Sequence, residues 1–69
     1  MSQVSRKILA KNIEKLRKER NIKKEELSLA LGFDNSYISK LEKGRINITI
    51  DKIDLIANYF NIDIKELFI

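Results

Sequence analysis

The residues best suited to chemistry lie between positions 35 and 43, where short polar and basic side chains share one face of a predicted helix. Ile38 and Leu41 form the apolar face of this segment, because their spacing puts them on the same side of a helix. The side chains opposite them are Ser36, Ser39, Lys40 and Lys43. Hydroxyl and ammonium groups can donate hydrogen bonds to base edges and to phosphates. This face therefore suits a groove of DNA.

Two short helices that cross at a steep angle would hold this face in place. The segment 24–42 carries apolar residues where such a pair must bury them, namely at Leu27, Leu31, Phe33, Ile38 and Leu41. Gly32 stands where the first helix must stop, since glycine adopts a positive φ without steric cost. Ser28, one turn earlier, is small enough to let the second helix approach closely. The pattern predicts a helix-turn-helix at about residues 24–43.

Length and composition restrict the class of protein. The chain has 69 residues, which predicts a single domain spanning 1–69 near the lower size limit for one hydrophobic core. It contains no cysteine, no histidine and no proline, so disulfides, thiolate metal sites and histidine catalysis are excluded and the composition is helical. We expect an all-α protein with no cofactor, no metal site and no enzymatic activity, because no group of residues resembles a catalytic site.

The charge of the chain is polarised. The formal net charge is +4, and residues 1–24 carry nine Lys or Arg against two Glu, whereas residues 25–69 carry five against eight Asp or Glu. A basic N-terminal part would attract a polyanion such as nucleic acid, although a solvated lysine-rich helix gives the same count. No apolar run is long enough to span a membrane and no secretory leader is recognisable, so we expect a cytoplasmic protein that does not bind membranes.

Apolar periodicity and capping residues predict five helices. Their expected ranges are about 4–20, 24–31, 35–43, 50–60 and 64–68. Asp34 and Thr49 should cap the third and fourth helices, because their side-chain oxygens can accept hydrogen bonds from free backbone amides. Lys23, at the cap of the second helix, has no such oxygen and adds a positive charge at the positive end of the helix dipole. We interpret this unfavourable cap as a sign of a phosphate contact; simple exposure to solvent is the alternative.

Three segments resemble the phage repressor and Cro type of helix-turn-helix regulator, and this resemblance covers nearly the whole chain. The segments are Asn12–Arg17, Glu26–Ser28 and Tyr37–Gly44. More narrowly, Ser36–Gly44 followed by Asn47–Ile50 resembles the controller proteins of restriction-modification systems. The resemblance implies a compact five-helix, lambda-repressor-like DNA-binding domain in which helices 2 and 3 form the helix-turn-helix.

The resemblance also implies roles for individual residues. In this family an arginine of the first helix pairs with the glutamate that ends the third, which here would join Arg17 to Glu42. Base contacts carry over to Lys24, Asn35, Ser36, Ser39 and Lys40. Contacts to the DNA backbone are expected from Lys23, Tyr37, Lys43, Arg45 and Asn47, although the Tyr37 ring could instead pack beside the motif. The family commonly has Thr or Ser followed by Gln where this chain has Lys23 and Lys24, so a point charge replaces an amide there.

We expect a sequence-specific transcriptional regulator of double-stranded DNA. Helix 35–43 would enter the major groove, where Lys40 can reach guanine O6 and N7 and Asn35 can pair with adenine N6 and N7. One helix gives too small an interface for specific binding, so we expect a homodimer on a palindromic operator, with half-sites about one helical turn apart. The dimer surface should lie within about residues 59–69 and use Tyr59, Ile62, Ile64, Leu67, Phe68 and Ile69. These side chains could instead close the core of the monomer.

Two other functional classes are weighed against DNA binding. A protein–protein interaction module could use the same helices to bind a partner chain, and only DNA binding should weaken steeply with salt. RNA binding is less favoured, because single-strand readers need exposed aromatic side chains and most of the aromatic residues here fall at core spacing. No small-molecule ligand is evident from the sequence, so control through protein concentration and dimerisation is the simplest hypothesis.

Overall fold

The computed structural model describes residues 3–69 as a chain of helices joined by short turns. The α-helices are α1 (Gln3–Glu19), α2 (Lys24–Ala30), α3 (Tyr37–Glu42) and α4 (Ile50–Phe60), and a 3-10 helix spans Ile64–Phe68. The predicted all-α class is confirmed, but the expected fifth α-helix is wrong. This segment is only one short stretch, and the Glu66 amide bonds to the Asp63 carbonyl three residues back, at 3.0 Å. Within residues 3–69, no helix is both long and apolar enough to cross a membrane.

One hydrophobic core joins all of these segments. Its side chains that are at most 2% exposed are Leu9, Ile13, Leu27, Ile38, Leu41, Ile53, Ile56, Phe60 and Leu67. Each helix contributes because its apolar residues recur at intervals of three or four and so form one buried face. Leu67, which the sequence predicts at a dimer surface, has no exposed area in the monomer. It therefore packs within its own subunit and offers no surface to a partner.

Residues with a positive φ follow the ends of α2 and α4, as the sequence predicts for Gly32. Gly32 has a φ of +77° just after α2, and Asn61 has a φ of 56° just after α4. A side chain at position 32 would be strained in this backbone conformation, whereas asparagine tolerates it better than most residues. After Gly32 the Phe33 amide bonds back to the Ser28 carbonyl at 2.9 Å. This bond closes the reversal that leads the chain from α2 towards α3.

The beginning of α3 differs from the predicted one. The helix starts at Tyr37, so Asn35 and Ser36 lie in the preceding turn rather than inside the helix. The Asp34 carboxylate accepts hydrogen bonds from the amide of Ser36 at 3.3 Å and from its hydroxyl at 2.5 Å. The Tyr37 amide bonds to the Asp34 carbonyl at 3.0 Å. Asp34 thus stabilises a turn, and Ser36 takes the position immediately before α3.

The starts of α2 and α4 follow the sequence. Thr49 Oγ1 accepts a hydrogen bond from the Lys52 amide at 3.3 Å, as its capping role requires. At α2 the cap position is Lys23, whose side chain makes no capping bond. The Glu26 carboxylate accepts the Lys23 amide hydrogen at 3.3 Å and so supplies half of a capping box. Both Lys23 and Lys24 are exposed at the positive end of this helix.

Two polar side chains at or near α1 fasten the C-terminal part of the chain. Arg20 Nη2 donates a hydrogen bond to the Phe60 carbonyl at 2.8 Å, and its guanidinium lies 5.0 Å from the centroid of the Phe60 ring. Asn12 Nδ2 donates to the Leu67 carbonyl at 2.8 Å. The last carbonyls of a helix have no partner within it, so these bonds satisfy groups that would otherwise need water. They also hold α4 and the 3-10 helix against α1.

Candidate nucleic-acid interface

A buried serine connects α2 to α3. The Ser28 hydroxyl donates a hydrogen bond to the Lys24 carbonyl of its own helix at 2.9 Å, and accepts one from the Ile38 amide of α3 at 3.0 Å. Ser28 has no exposed area. The first amides of a helix have no hydrogen-bond acceptor within the helix. Here Ser28 of α2 supplies the acceptor for one of these amides, that of Ile38. From the sequence only the small volume of Ser28 was expected to matter, whereas its hydroxyl fixes the first turn of α3 against α2.

A lysine and two aromatic rings join the helix-turn-helix to α4. The ring centroids of Phe33 and Tyr37 are 4.6 Å apart. The Lys52 ammonium nitrogen lies 4.8 Å from the Tyr37 centroid and 5.4 Å from that of Phe33, which is within the range of cation–π attraction. Burial of the Tyr37 side chain raises the pKa of its hydroxyl. This role of Lys52 could not be expected from local sequence, because both ring partners lie outside its own helix.

An ion pair holds the other end of α3 against α1. Arg17 Nε donates to Glu42 Oε2 at 2.8 Å, and Arg17 Nη2 donates to Glu42 Oε1 at 3.2 Å. A third bond runs from Arg17 Nη1 to the Ile22 carbonyl at 2.8 Å. The two side chains are 9% and 3% exposed, and the hydrogen bond to Glu42 raises the Arg17 pKa despite an opposing effect of burial. The structure therefore brings together the two residues that the family resemblance pairs.

The residues expected to contact bases differ in exposure and in position. Lys24, Asn35 and Lys40 are exposed, whereas Ser36 and Ser39 are half-buried. Lys24 is the first residue of α2, and Ser39 and Lys40 belong to α3. Asn35 precedes α3 by two residues, so its side chain is presented by a turn. These residues thus come from three consecutive parts of the helix-turn-helix.

Ser36 has a constrained hydroxyl. It donates its hydrogen to the Asp34 carboxylate, and this bond is the main reason why the pKa of Asp34 is lowered. With its hydrogen engaged, the Ser36 oxygen presents only lone pairs to a ligand. In the major groove these lone pairs match the exocyclic amino group of adenine or cytosine rather than guanine O6. The turn thereby limits the Ser36 hydroxyl to accepting hydrogen bonds.

The residues expected to contact the DNA backbone flank this region. Four of them are exposed, namely Lys23, Lys43, Arg45 and Asn47. The fifth, Tyr37, is half-buried. The loop after α3 is held to the helix by a bond from the Arg45 amide to the Lys40 carbonyl at 3.1 Å. The cations at positions 43 and 45 are therefore presented by a hydrogen-bonded turn, so they would lose less entropy on binding an anion than cations on a free loop.

The apolar residues expected at a dimer surface fall into three groups. Tyr59 and Ile69 are exposed. Ile62, Ile64 and Phe68 are half-buried, and Leu67 is fully buried. Leu55, which the sequence analysis did not include, is 48% exposed and lies one turn before Tyr59 on α4. Residues four apart on a helix are neighbours, so this spacing was the signal that could have found it.

Comparison with known proteins gives the same helical arrangement. A family model described as helix-turn-helix matches residues 13–67. An uncharacterized HTH-type transcriptional regulator of Sinorhizobium fredii is 34% identical over 62 residues, which span 90% of this chain and 80% of that protein. The crystal structure of a hypothetical transcription factor from Neisseria, NHTF, has a TM-score of 0.89 and 29% identity, covering 94% of this chain and 75% of the other.

A second solved structure is that of the restriction-modification controller protein C.AhdI from Aeromonas hydrophila. Its TM-score is 0.83 at 27% identity, and the match covers 91% of this chain and 96% of that protein. The family match spans both helices of the motif and most of the remaining chain. The chain therefore belongs to the helix-turn-helix family of transcriptional regulators.

Proposed function

We propose that this protein is a sequence-specific regulator of transcription that binds double-stranded DNA as a homodimer on a palindromic operator. The observation that carries the proposal is the attachment of α3 at both of its ends. Ser28 holds the first turn of α3, and Arg17 holds Glu42 at its last residue. Between them Lys40 is exposed. A short helix fixed in this way, with a polar outer face, fits insertion into a DNA groove.

In this proposal α3 enters the major groove with its N-terminal end foremost. Lys40 donates to guanine O6 and N7, and Asn35 pairs with adenine N6 and N7. Ser39 bonds to either base edge, and Ser36 accepts from an amino group. Because Asn35 and Ser36 precede the helix, they extend readout beyond its first turn. Lys24 reads from the first residue of α2, where its charge favours an acceptor such as guanine.

The flanking residues set the position of the helix on the duplex. Lys23, Lys43, Arg45 and Asn47 contact phosphates, and Tyr37 adds its hydroxyl if the ring stays against Phe33. Such contacts carry no sequence information, but they supply much of the affinity and its salt dependence. The three basic residues in this group are exposed, so their charges remain hydrated in the free protein and are accessible to phosphates. This exposure supports their assignment to the DNA backbone.

The homodimer is proposed from the apolar surface that the monomer leaves uncovered. Tyr59 and Ile69 are 39% and 83% exposed, and Leu55 is 48% exposed beside Tyr59. Ile62, Ile64 and Phe68 add the outer edges of half-buried side chains. Association of two copies through this surface would place two α3 helices on half-sites about one turn of DNA apart. Removal of this surface from water would also stabilise a chain of this small size.

A restriction-modification controller is the specific type of regulator that one observation favours. The match to the controller protein from Aeromonas hydrophila covers 96% of that protein and 91% of this chain, so it includes the whole helix-turn-helix and the segments packed on it. The assignment predicts that the operator lies upstream of restriction and modification genes in the source genome. Mapping bound genomic fragments tests this directly, and binding only at unrelated promoters would exclude the controller type.

Selection of bound duplexes from a random pool, repeated at two salt concentrations, tests the proposed function. We expect a palindromic site whose affinity falls log-linearly with salt. Recovery of no preferred sequence would contradict the proposal. Retention of a protein partner with salt-independent affinity, and no DNA, would favour an interaction module instead. Ultracentrifugation of the complex with one operator should give two protein chains per duplex.

A further inference from the structure

A basic cleft lies between the N-terminal half of α1 and the end of α3. Its volume is about 380 Å³, within the usual size range of sites that bind small groups. Ala10, which is 5% exposed, lines the cleft, and its short side chain leaves the space open. Gly44, directly after α3 and its C-cap residue, lines the opposite side. We call this site the α1–α3 cleft.

Positive charge dominates the lining of the α1–α3 cleft. Its basic side chains are Arg6, Lys7, Lys11 and Lys43, and its carboxylates are Glu14 and Glu42. Both carboxylates are engaged by cations outside this lining. Glu42 is bonded to Arg17 at 2.8 Å, and Glu14 lies 3.8 Å from the Lys18 ammonium. The residual electrostatic potential of the cleft therefore attracts an anion.

The position of these charges along α1 strengthens the attraction. Arg6 and Lys7 are the fourth and fifth residues of α1, close to its positive N-terminal end, and Lys11 lies one turn further along the helix. The first turn of α1 contains no acidic residue among the described positions. Lys7 and Lys11 are like charges four residues apart on one helix, so an anionic ligand would relieve their repulsion as well as form new bonds.

We infer that the α1–α3 cleft binds a backbone phosphate of DNA that lies beside the site read by α3. The inference rests on the proposed function, because it extends the same DNA contact onto α1. The position of Lys43 favours the DNA backbone over a free phosphorylated molecule as the source of this phosphate. It lies at the end of α3, among the residues proposed to hold the DNA backbone, and it also lines the cleft. The cleft is thus continuous with the proposed DNA surface. A site for a free phosphorylated molecule would not require this continuity, so the position of Lys43 favours a phosphate of DNA.

Charge-matched variants test the inference. The cleft variant carries Lys7→Gln and Lys11→Gln, and the control carries Lys15→Gln and Lys65→Gln, four exposed lysines in all. Both variants lose two positive charges, but only the first pair lines the cleft. We expect the slope of log affinity against log salt to become shallower by about 1 to 2 in the cleft variant and to stay unchanged in the control. Circular dichroism confirms that each variant is folded before binding is measured.

Neutral phosphates locate the contact on the duplex. Methylphosphonate is placed at one position at a time along the operator and its flanks. Wild-type protein should lose affinity at one flanking position, and the cleft variant should be insensitive to the same replacement. Equal slopes for the two variants, or equal sensitivity at every position, would overturn the inference. Titration with inorganic pyrophosphate adds a further arm: shifts of the Lys7 and Lys11 amides together with equal DNA slopes would assign the cleft to a free anion and exclude the DNA backbone.

Failure of the proposed function can be distinguished from failure of the cleft inference. If wild-type protein binds all DNA sequences equally, the specific-regulator proposal is contradicted, whereas the difference in salt slope still tests the cleft. If wild-type protein binds no DNA at all, both proposals are overturned. If wild-type protein selects an operator but the cleft variant shows the same salt slope as the control variant, the proposed function stands and only the cleft assignment fails.

Discussion

Arg17 and Glu42 form a two-bond pair, with Arg17 Nε 2.8 Å and Nη2 3.2 Å from the two carboxylate oxygens. The same guanidinium also donates to the Ile22 carbonyl at 2.8 Å, so one side chain links α1, the α1–α2 turn and the end of α3. A planar guanidinium bonded in this way fixes an angle as well as a distance. We infer that its main role is to orient α3 rather than to add stability.

Replacement of Arg17 by Ala should lower both stability and DNA affinity, although Arg17 is not among the proposed base contacts. Glu42, whose side chain is 3% exposed in the intact pair, would lose its partner, at a cost of about 3 to 5 kcal/mol in the free energy of unfolding. Urea denaturation measures the loss. Lys18→Ala is the matched control, because its exposed pair with Glu14 at 3.8 Å should contribute less than about 1 kcal/mol. Unchanged melting and binding in Arg17→Ala would remove the orienting role.

Replacement of Ser28 by Ala should loosen the start of α3. The Ile38 amide would lose its acceptor at a site without solvent access, which costs about 1 to 3 kcal/mol. We expect the amide of Ile38 to exchange faster with deuterium, together with a lower denaturation midpoint. Ser39→Ala, in the same motif but half-exposed, should change stability by less than about 0.5 kcal/mol. Normal protection of Ile38 in Ser28→Ala would show that the hydroxyl is dispensable.

Replacement of Lys52 by Met should test the contact with the aromatic pair. Methionine keeps a long apolar side chain but removes the charge that faces the Tyr37 and Phe33 rings, so we expect a loss of about 0.5 to 2 kcal/mol. Lys65→Met, at an exposed position of the 3-10 helix, provides the comparison. Thermal melts of the two variants measure the difference, and equal melting temperatures would show that the ring contact contributes no stability.

Replacement of Lys40 by Ala should relax the preference at one base pair in each half-site, at a cost of about 1 to 3 kcal/mol on the preferred operator. Lys43→Ala should instead weaken binding by a similar factor on all sequences, because it is proposed to contact phosphate. Competition between the selected operator and single-base variants measures both effects. A uniform loss with Lys40→Ala would assign Lys40 to the backbone as well.

The carboxyl of Asp34 should titrate below its ordinary pKa because Ser36 donates to it. A lowered pKa in the folded state means that this bond stabilises the protein above the ordinary value of about 3.9, and that the contribution is lost as pH falls through the lower folded value. Ser36→Ala removes the largest cause and should move the titration upward, which NMR of the side-chain carboxyl detects. Ser39→Ala should leave it unchanged. A midpoint in Ser36→Ala as low as in the wild type would contradict the assigned cause.

Most of the fold follows from local sequence. The apolar intervals in α1 and α4, the glycine at 32 and the asparagine at 61 specify helices and reversals through interactions within a few residues. The link between Arg17 and Glu42 required the family resemblance, since the two charges lie far apart in the chain and many other pairings are possible. The motif itself was found because several such spacings agree.

The sequence by itself determined the helix-turn-helix, the basic N-terminal part and the polar face of α3, because these depend on periodicity and composition. Only the tertiary structure decided that α3 begins at Tyr37, since both Asp34 and Ser36 are competent capping residues and their mutual bond selects the turn. It also decided that Leu67 lies in the core and that the Ser28 hydroxyl reaches the Ile38 amide. Such contacts depend on how separate helices pack, and the residue types alone allow several outcomes.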